Sequence, residues 1–149
     1  ISKIQGLLFQ YNMPSINLEL EITENVVITD ISSAMNTIVA LQNMGIKVSI
    51  DDFGTGYSSL AYLRELPIDK IKIDRSFIKD FATSDADLTI VKSMIKLSHG
   101  LGKRVLAEGV ETKEQLQLLR QLGCDAVQGF FVNKPLAEEK FTDYLSQRK

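Results

Sequence analysis

Five short segments of this chain carry apolar side chains at every second position, with polar ones between them. They lie at 17–23, 46–51, 69–74, 103–108 and 125–128. A period of two marks a strand, whose successive side chains point to opposite faces. Segments of helical periodicity separate them, at 30–44, near 58–65, at 85–101 and at 112–122, with a last helix from Leu136. Ala34, Ile38 and Leu41 share one face of the helix at 30–44, and Gly45 follows as its cap. An opening helical stretch carries Ile4, Leu7 and Leu8. Strands separated by helices imply a parallel sheet, because parallel neighbours need crossover connections.

The two faces of that sheet differ. Leu18, Leu20, Ile22, Val48, Ile50, Ile71, Ile73, Val105, Ala107 and Val127 line the face that covering helices would bury. The opposite face carries Glu19, Glu21, Thr23, Ser49, Asp51, Lys70, Lys72, Asp74, Glu108 and Gln128. A doubly wound sheet, covered on both sides, should read as nearly continuous apolar runs. A βα barrel whose upper interior is a reaction site accounts for the polar face, because such enzymes place their chemistry at the strand C-termini. A polar face open to water is the plain alternative, but parallel sheets are seldom left uncovered. A complete barrel has eight strands and at least ~200 residues, so five strands in 149 residues imply a partial barrel.

Bulk properties narrow the chemistry. Apolar residues are 44% and charged residues 24% of the chain, ordinary for a water-soluble domain. A net charge of −2 without basic clusters argues against a nucleic acid polymer as partner. No apolar run reaches the ~20 residues of a membrane span, and the opening lacks a signal peptide's pattern. The single cysteine, Cys124, permits no internal disulfide and reads as a small core residue, which fits a reducing, cytoplasmic setting.

At or just beyond the strand ends stand Glu21, Glu24, Asp51, Asp52, Lys72, Asp74, Glu108, Glu111 and Gln128. Carboxylates converging on one rim repel one another or take up protons unless cations neutralise them. Hard divalent ions with oxygen ligands meet that need, and Mg²⁺ characteristically combines carboxylates with water and substrate phosphate. One histidine and one cysteine argue against a zinc site. The adjacent pair Asp51 and Asp52 suits two ions, and two metals about 3.5–4 Å apart recur in phosphoester cleavage. Lys72 would fix the attacking water or balance charge, while Gly54 and Gly56 let the following loop turn sharply.

The motifs Glu21-Ile-Thr-Glu24, Asp51-Asp52-Phe53-Gly54-Thr55-Gly56, Lys72-Ile-Asp74, Ala107-Glu108-Gly-Val-Glu111, Gln128-Gly129-Phe and Lys134-Pro135-Leu together resemble the EAL-domain family. The match runs in order through nearly the whole chain. The resemblance implies a bacterial signalling phosphodiesterase, a hydrolase opening cyclic di-GMP to linear pGpG with Mg²⁺ or Mn²⁺ in a TIM-like barrel. It implies that Glu21, Asp51 and Asp52 are metal ligands, Asp51 bridging, and that Lys72 orients or activates the nucleophilic water. Glu108 serves the second metal and is the family's proposed general base, and Gln128 holds the water network. Glu24 anchors the loop from Phe53 to Ser59, which couples substrate, metal and dimerisation. Glu111 supports the substrate side or, alternatively, is an acidic residue favoured by a helix N-terminus.

The eponymous Glu-Ala-Leu motif, its neighbouring arginine and the family's metal-binding asparagine are absent, and all belong to strands that would precede residue 1. Residues 1–149 are therefore expected to be the C-terminal part of one EAL domain, inactive alone, within an active parent that carries an upstream sensory or GGDEF domain. A homodimer is expected, with exposed sheet edges as one route to self-pairing. The alternative is a non-catalytic cyclic di-GMP receptor or protein-interaction module.

Overall fold

The computed structural model describes residues 1–56 and 60–147, and the side chains of all of these except Ile28, Leu60 and Ala61. Helix α1 (Ser2–Gln10) leads through a turn of 3-10 helix at Ser15–Asn17 into strand β1 (Glu19–Thr23). There follow α2 (Glu24–Thr29), α3 (Ile31–Asn43), β2 (Lys47–Phe53), α4 (Leu60–Glu65), β3 (Lys70–Ile73) and α5 (Arg75–Ile78). The chain continues with α6 (Asp85–Gly100), β4 (Arg104–Ala107), α7 (Lys113–Gln121), β5 (Ala126–Val127) and α8 (Glu138–Ser146). The five strands form one sheet in the order β1-β2-β3-β4-β5, and every neighbouring pair is parallel. No described helix is long and apolar enough to cross a membrane.

The apolar face expected from the sequence is the core. Val48, Ile50, Ile71, Ile73, Val105 and Ala107 are completely buried. Ile38 and Leu41 of α3 pack in the same cluster as Val48, Ile50 and Ile71. Val91 and Ile95 of α6 and Leu119 of α7 pack with Ile73, Val105 and Ala107. Each buried Val, Ile or Leu contributes about 1.5–3 kcal/mol relative to exposure, so the face pointing at the helices holds the sheet together.

Helix ends follow local chemistry. Asp30 accepts the Ser33 N–H at 3.0 Å, Ser84 accepts that of Asp87, and Thr112 with Gln115 forms a reciprocal capping box. Gly45 adopts φ +80° just past α3, donating to the Gln42 carbonyl, as its sequence position implied.

Boundaries differ where the cause is local. No element is expected over 24–29 from the sequence, yet α2 forms there despite its β-branched run Val26, Val27, Ile28, Thr29. Its first residue, Glu24, is buried, and tertiary anchoring outweighs propensity. The four-residue α5 is started by Asp74, whose side chain accepts the Ser76 N–H. Strand β2 runs to Phe53 rather than ending at residue 51, and β5 shrinks to two residues. The helix expected near 58–65 begins at Leu60, and its positions 58 and 59 lie outside the described residues.

The N-terminal ends of the strands repeat one device. Asp69, just before β3, accepts the Val48 N–H of β2 at 2.9 Å. Asp125, just before β5, accepts the Val105 N–H of β4 at 2.7 Å and also meets His99 Nε2 at 2.9 Å. In each case a carboxylate satisfies an amide at the start of the neighbouring strand, at the end of the sheet where stability rather than chemistry is expected. Burial alone would raise the Asp125 carboxyl, but the bonds from His99 and Val105 outweigh it and hold it below the usual range.

A depressed folded value means stability that is present above the unfolded pKa and is lost as pH falls through the folded one. Asp125→Asn is therefore expected to cost about 1 kcal/mol at pH 7. The difference from the unmutated chain should shrink below pH ~4, as read by chemical denaturation across pH.

Candidate active site

Strand β2 carries an irregularity that decides the site. Ile50 pairs with Ile71 and Phe53 with Ile73, so Asp51 and Asp52 together stand opposite the single Lys72. In a regular strand neighbouring side chains diverge to opposite faces. Here the extra residue makes a β-bulge, and Asp52 takes the left-handed φ of +54°. Aspartate tolerates that conformation better than most side chains, by local hydrogen bonding. Both carboxylates are thereby kept at the C-terminal rim, while Phe53 returns to the core with 3% exposure.

Glu108, one residue past β4, completes the group. Asp51, Asp52 and Glu108 each offer a carboxylate oxygen, and the three oxygens lie within 4.8 Å of one another. Lys72 reaches into this group from β3 and is 3% exposed. Its Nζ lies 2.7 Å from Glu21 Oε1, 2.9 Å from Asp51 Oδ1 and 2.8 Å from Glu108 Oε1. Despite that proximity, Asp51 Oδ1 is buried and accepts no well-directed hydrogen bond. Glu21 is joined to the group through Lys72 rather than by lying within the trio.

Charge follows this arrangement. Burial alone would lower the Lys72 ammonium, but its close pairing with Glu108, Glu21 and Asp51 outweighs it and holds the lysine firmly protonated, well above its ordinary value. Burial pushes the Glu108 carboxyl up, and Asp51 and Glu21 add repulsion, so it stays above the usual range despite Lys72. Desolvation and the charges of Asp51 and Asp74 raise Asp52 likewise. Asp74 goes the other way. Burial would raise it, but bonds from Ser76 and the Arg75 amide pull it below the usual range.

A cleft of about 300 Å³ opens beside the trio, lined by Asp52, Asp74, Arg75, Glu108, Glu111 and Gln128 among others. Gln128 is positioned by its backbone, donating to the Ala107 carbonyl at 2.9 Å and accepting from the Val110 N–H at 3.0 Å. Gly129 beside it has no room for a side chain, since a Cβ would come within 2.2 Å of the Val110 carbonyl oxygen. Glu111 lies before the N-cap Thr112, outside α7, and its N–H bonds Gln115 Oε1 at 2.7 Å. Arg75 was not singled out from the sequence. Its place directly after the Lys72-Ile-Asp74 strand end is the signal that points to it.

Glu24 ties down the loop after β2. It is 1% exposed; its Oε2 accepts the Gly54 N–H at 3.0 Å and its Oε1 the Tyr62 hydroxyl at 3.2 Å. Gly54 has φ +97°, and a Cβ there would come within 2.4 Å of Met94 Cε and 2.9 Å of Phe77. Thr55 closes the turn by donating its N–H and its hydroxyl to the Asp52 carbonyl. Gly56 packs against the Glu24 carboxylate, where a Cβ would stand 3.2 Å from Oε1. The remainder of the expected loop, Tyr57 to Ser59, lies outside the described residues.

These elements define a partial TIM-like βα barrel with a carboxylate–lysine centre at the C-terminal ends of its strands. Residues 1–135 match the family model described as the EAL domain, and the chain belongs to that family. The EAL domain of Mycobacterium smegmatis DcpA superposes with a TM-score of 0.92 at 40% identity, covering 98% of this chain and 66% of that one. Klebsiella pneumoniae BlrP1, in a complex with manganese and cyclic di-GMP, matches with a TM-score of 0.79 at 36% identity, over 87% of this chain and 33% of its own. The cyclic di-GMP phosphodiesterase NbdA of Pseudomonas aeruginosa is 41% identical across 97% of this chain and 18% of its own length. The chain spans about a fifth of the length of the curated relatives it matches.

Removing the Glu24 carboxylate should loosen the loop while leaving the sheet intact. Glu24→Ala is expected to cost about 1–3 kcal/mol, the penalty for stranding buried partners. Hydrogen exchange should accelerate at Gly54 while the amides of β3 and β4 stay protected. Equal protection at Gly54 in both proteins would remove Glu24 from this role.

Proposed function

We propose that this chain is the C-terminal part of an EAL domain that hydrolyses cyclic di-GMP to linear pGpG with two divalent ions, Mg²⁺ or Mn²⁺. The observation that carries the reading is the convergence of Asp51, Asp52 and Glu108 within 4.8 Å, beside a buried lysine. The donor set suits a hard cation: all its atoms are carboxylate oxygens, they outnumber the local positive charge, and Asp51 Oδ1, 2.9 Å from Lys72, accepts no well-directed hydrogen bond. Asp51, Asp52 and Glu108 would hold the ions, with Glu21 joining from β1. Bound there, such ions supply Lewis acidity, acidifying water and offsetting charge on phosphate and leaving oxygens.

The chain's own groups do the rest. The protonated Lys72 orients the attacking water and faces the phosphate's negative charge. Glu108 takes a proton from that water, a task suited to a carboxyl held above its usual range. Water adds to phosphorus, the bond to the ribose 3′ oxygen breaks, and that oxygen takes up a proton. Gln128 holds the surrounding water, and Arg75 and Glu111 line the side of the cleft open to the nucleotide. Glu24 keeps the Phe53–Gly56 turn in register with the aspartates, with Asp74 capping the next wall of the cleft. Supporting this, NbdA is a cyclic di-GMP phosphodiesterase by name, and BlrP1 binds manganese with cyclic di-GMP. A second copy of the domain and an upstream sensory or GGDEF domain are its proposed partners. We place it in the cytoplasm, on its single unpaired cysteine.

The whole protein is expected to convert cyclic di-GMP to pGpG, to stop when chelator removes the metal, and to recover with Mn²⁺. Asp51→Asn and Lys72→Met should each lower kcat by about 10²-fold or more. Normal turnover in Lys72→Met would overturn the role assignment. Binding of the dinucleotide without hydrolysis by the unmutated protein in Mn²⁺ would mark a receptor instead.

Acid should also weaken metal binding. Ligands must be deprotonated to bind, and Glu108 and Asp52 hold their protons to higher pH than ordinary carboxyls. Mn²⁺ affinity followed by calorimetry should therefore fall as acid protonates these carboxyls, and an affinity that does not change on acidification would exclude them as ligands.

A further inference from the structure

We propose that Lys72 is the resident counter-cation of this site, so that loading a divalent ion is an exchange in which the ammonium surrenders carboxylate oxygens to the metal. The inference rests on the metal-site reading above and adds to it a determinant of metal affinity.

The geometry is that of a filled site. An ammonium has three N–H donors and no acceptor, and Lys72 faces three carboxylates, one each from β1, β2 and the end of β4, at 2.7–2.9 Å. At 3% exposure it has little access to water, so its charge is compensated almost entirely by protein. Two of the carboxylates it engages, Asp51 and Glu108, are also members of the trio. Glu21, a ligand expected from the sequence, stands outside the trio and has its Oε1 2.7 Å from Lys72.

One positive charge among Glu21, Asp51, Asp52 and Glu108 leaves the cluster short of cation. A divalent ion compensates more charge at similar distance and is the stronger occupant once it arrives. Until then Lys72 keeps the carboxylates from repelling each other. The same lysine thus stabilises the metal-free site and competes with the metal.

The strand contains its own comparison. Lys70, two residues earlier on the same face, bonds both oxygens of Glu19 at 2.7 Å. That is one cation on one carboxylate, with no surplus negative charge. It is a fastening, and its removal should leave metal affinity alone.

The test measures Mn²⁺ affinity by calorimetry, and melting with and without Mn²⁺, in the whole protein. The unmutated form is compared with Lys72→Met, Lys72→Arg and Lys70→Met. Lys72→Met should bind Mn²⁺ at least roughly tenfold more tightly. It should also melt lower without metal, with the gap narrowing when Mn²⁺ saturates. Lys72→Arg, which keeps the charge, and Lys70→Met should stay within about threefold of the unmutated protein. A lysine that merely braces the site predicts the opposite, since its loss would loosen the ligands and weaken binding.

Unchanged or weaker Mn²⁺ binding in Lys72→Met overturns the exchange while leaving the metal site standing. Failure of both the unmutated protein and Lys72→Met to bind Mn²⁺ overturns the metal site and this inference together. Should Lys72→Met not fold, the ¹⁵Nζ resonance of Lys72 in the unmutated protein decides. It must shift in step with Mg²⁺ binding, and a resonance that stays still while Mg²⁺ binds overturns the exchange.

Discussion

Like charges brought to one place push apart, and the rim of this sheet brings together Glu21, Asp51, Asp52 and Glu108. What lets strands from four successive units end side by side is the ammonium of Lys72, ion-paired with three of those carboxylates at 2.7–2.9 Å. The contact joins β1, β2, β3 and the end of β4 through one atom. Its cost is the desolvation of a lysine that is 3% exposed, offset by close ion pairing with three carboxylates. Burial and the neighbouring carboxylates make Glu108 retain its proton more readily than an ordinary carboxyl even beside Lys72, and Glu21 joins the group through Lys72 rather than within the trio.

The second constraint is backbone. Two adjacent aspartates serve one site only if the strand stops alternating, and the bulge at Asp52 interrupts it for a single residue. The strain of a left-handed aspartate is held in place from both directions. Phe53 is anchored in the core, and Gly54 is fixed between the Glu24 carboxylate and the side chains of Phe77 and Met94. A buried glutamate at the start of α2 thus governs where the ends of two aspartates fall, some thirty residues along the chain.

The two ends of the sheet divide labour. Asp69 and Asp125 close the N-terminal ends by accepting amides from neighbouring strands, whereas the charged groups at the C-terminal ends face a cleft. Among the described residues, strands β1 and β5 each pair on one side only, and Phe9, Phe130, Phe141 and Leu145 are substantially exposed. In the proposed complete domain, further βα units would cover that apolar surface and close the sheet, since open parallel edges invite pairing.

Much of this was legible in the residues themselves. Alternation in five segments marked the strands and their two faces, because side-chain direction in a strand follows residue parity alone. The order of motifs from Glu21 to Gln128 marked the family, and the acids beside Lys72 marked a site that favours cations. Parity misleads at the aspartates, since by alternation Asp52 belongs with the core. Nor does spacing reveal α2, whose β-branched residues fold as a helix around a buried Glu24, or the place of Arg75 on the cleft wall. Those outcomes depend on contacts between residues distant in sequence: the pairing of β2 with β3 that admits an extra residue, and the reach of Lys72 across its neighbours. Local chemistry specified which side chains stand at the rim, and only the packing of strand on strand decided which of them meet.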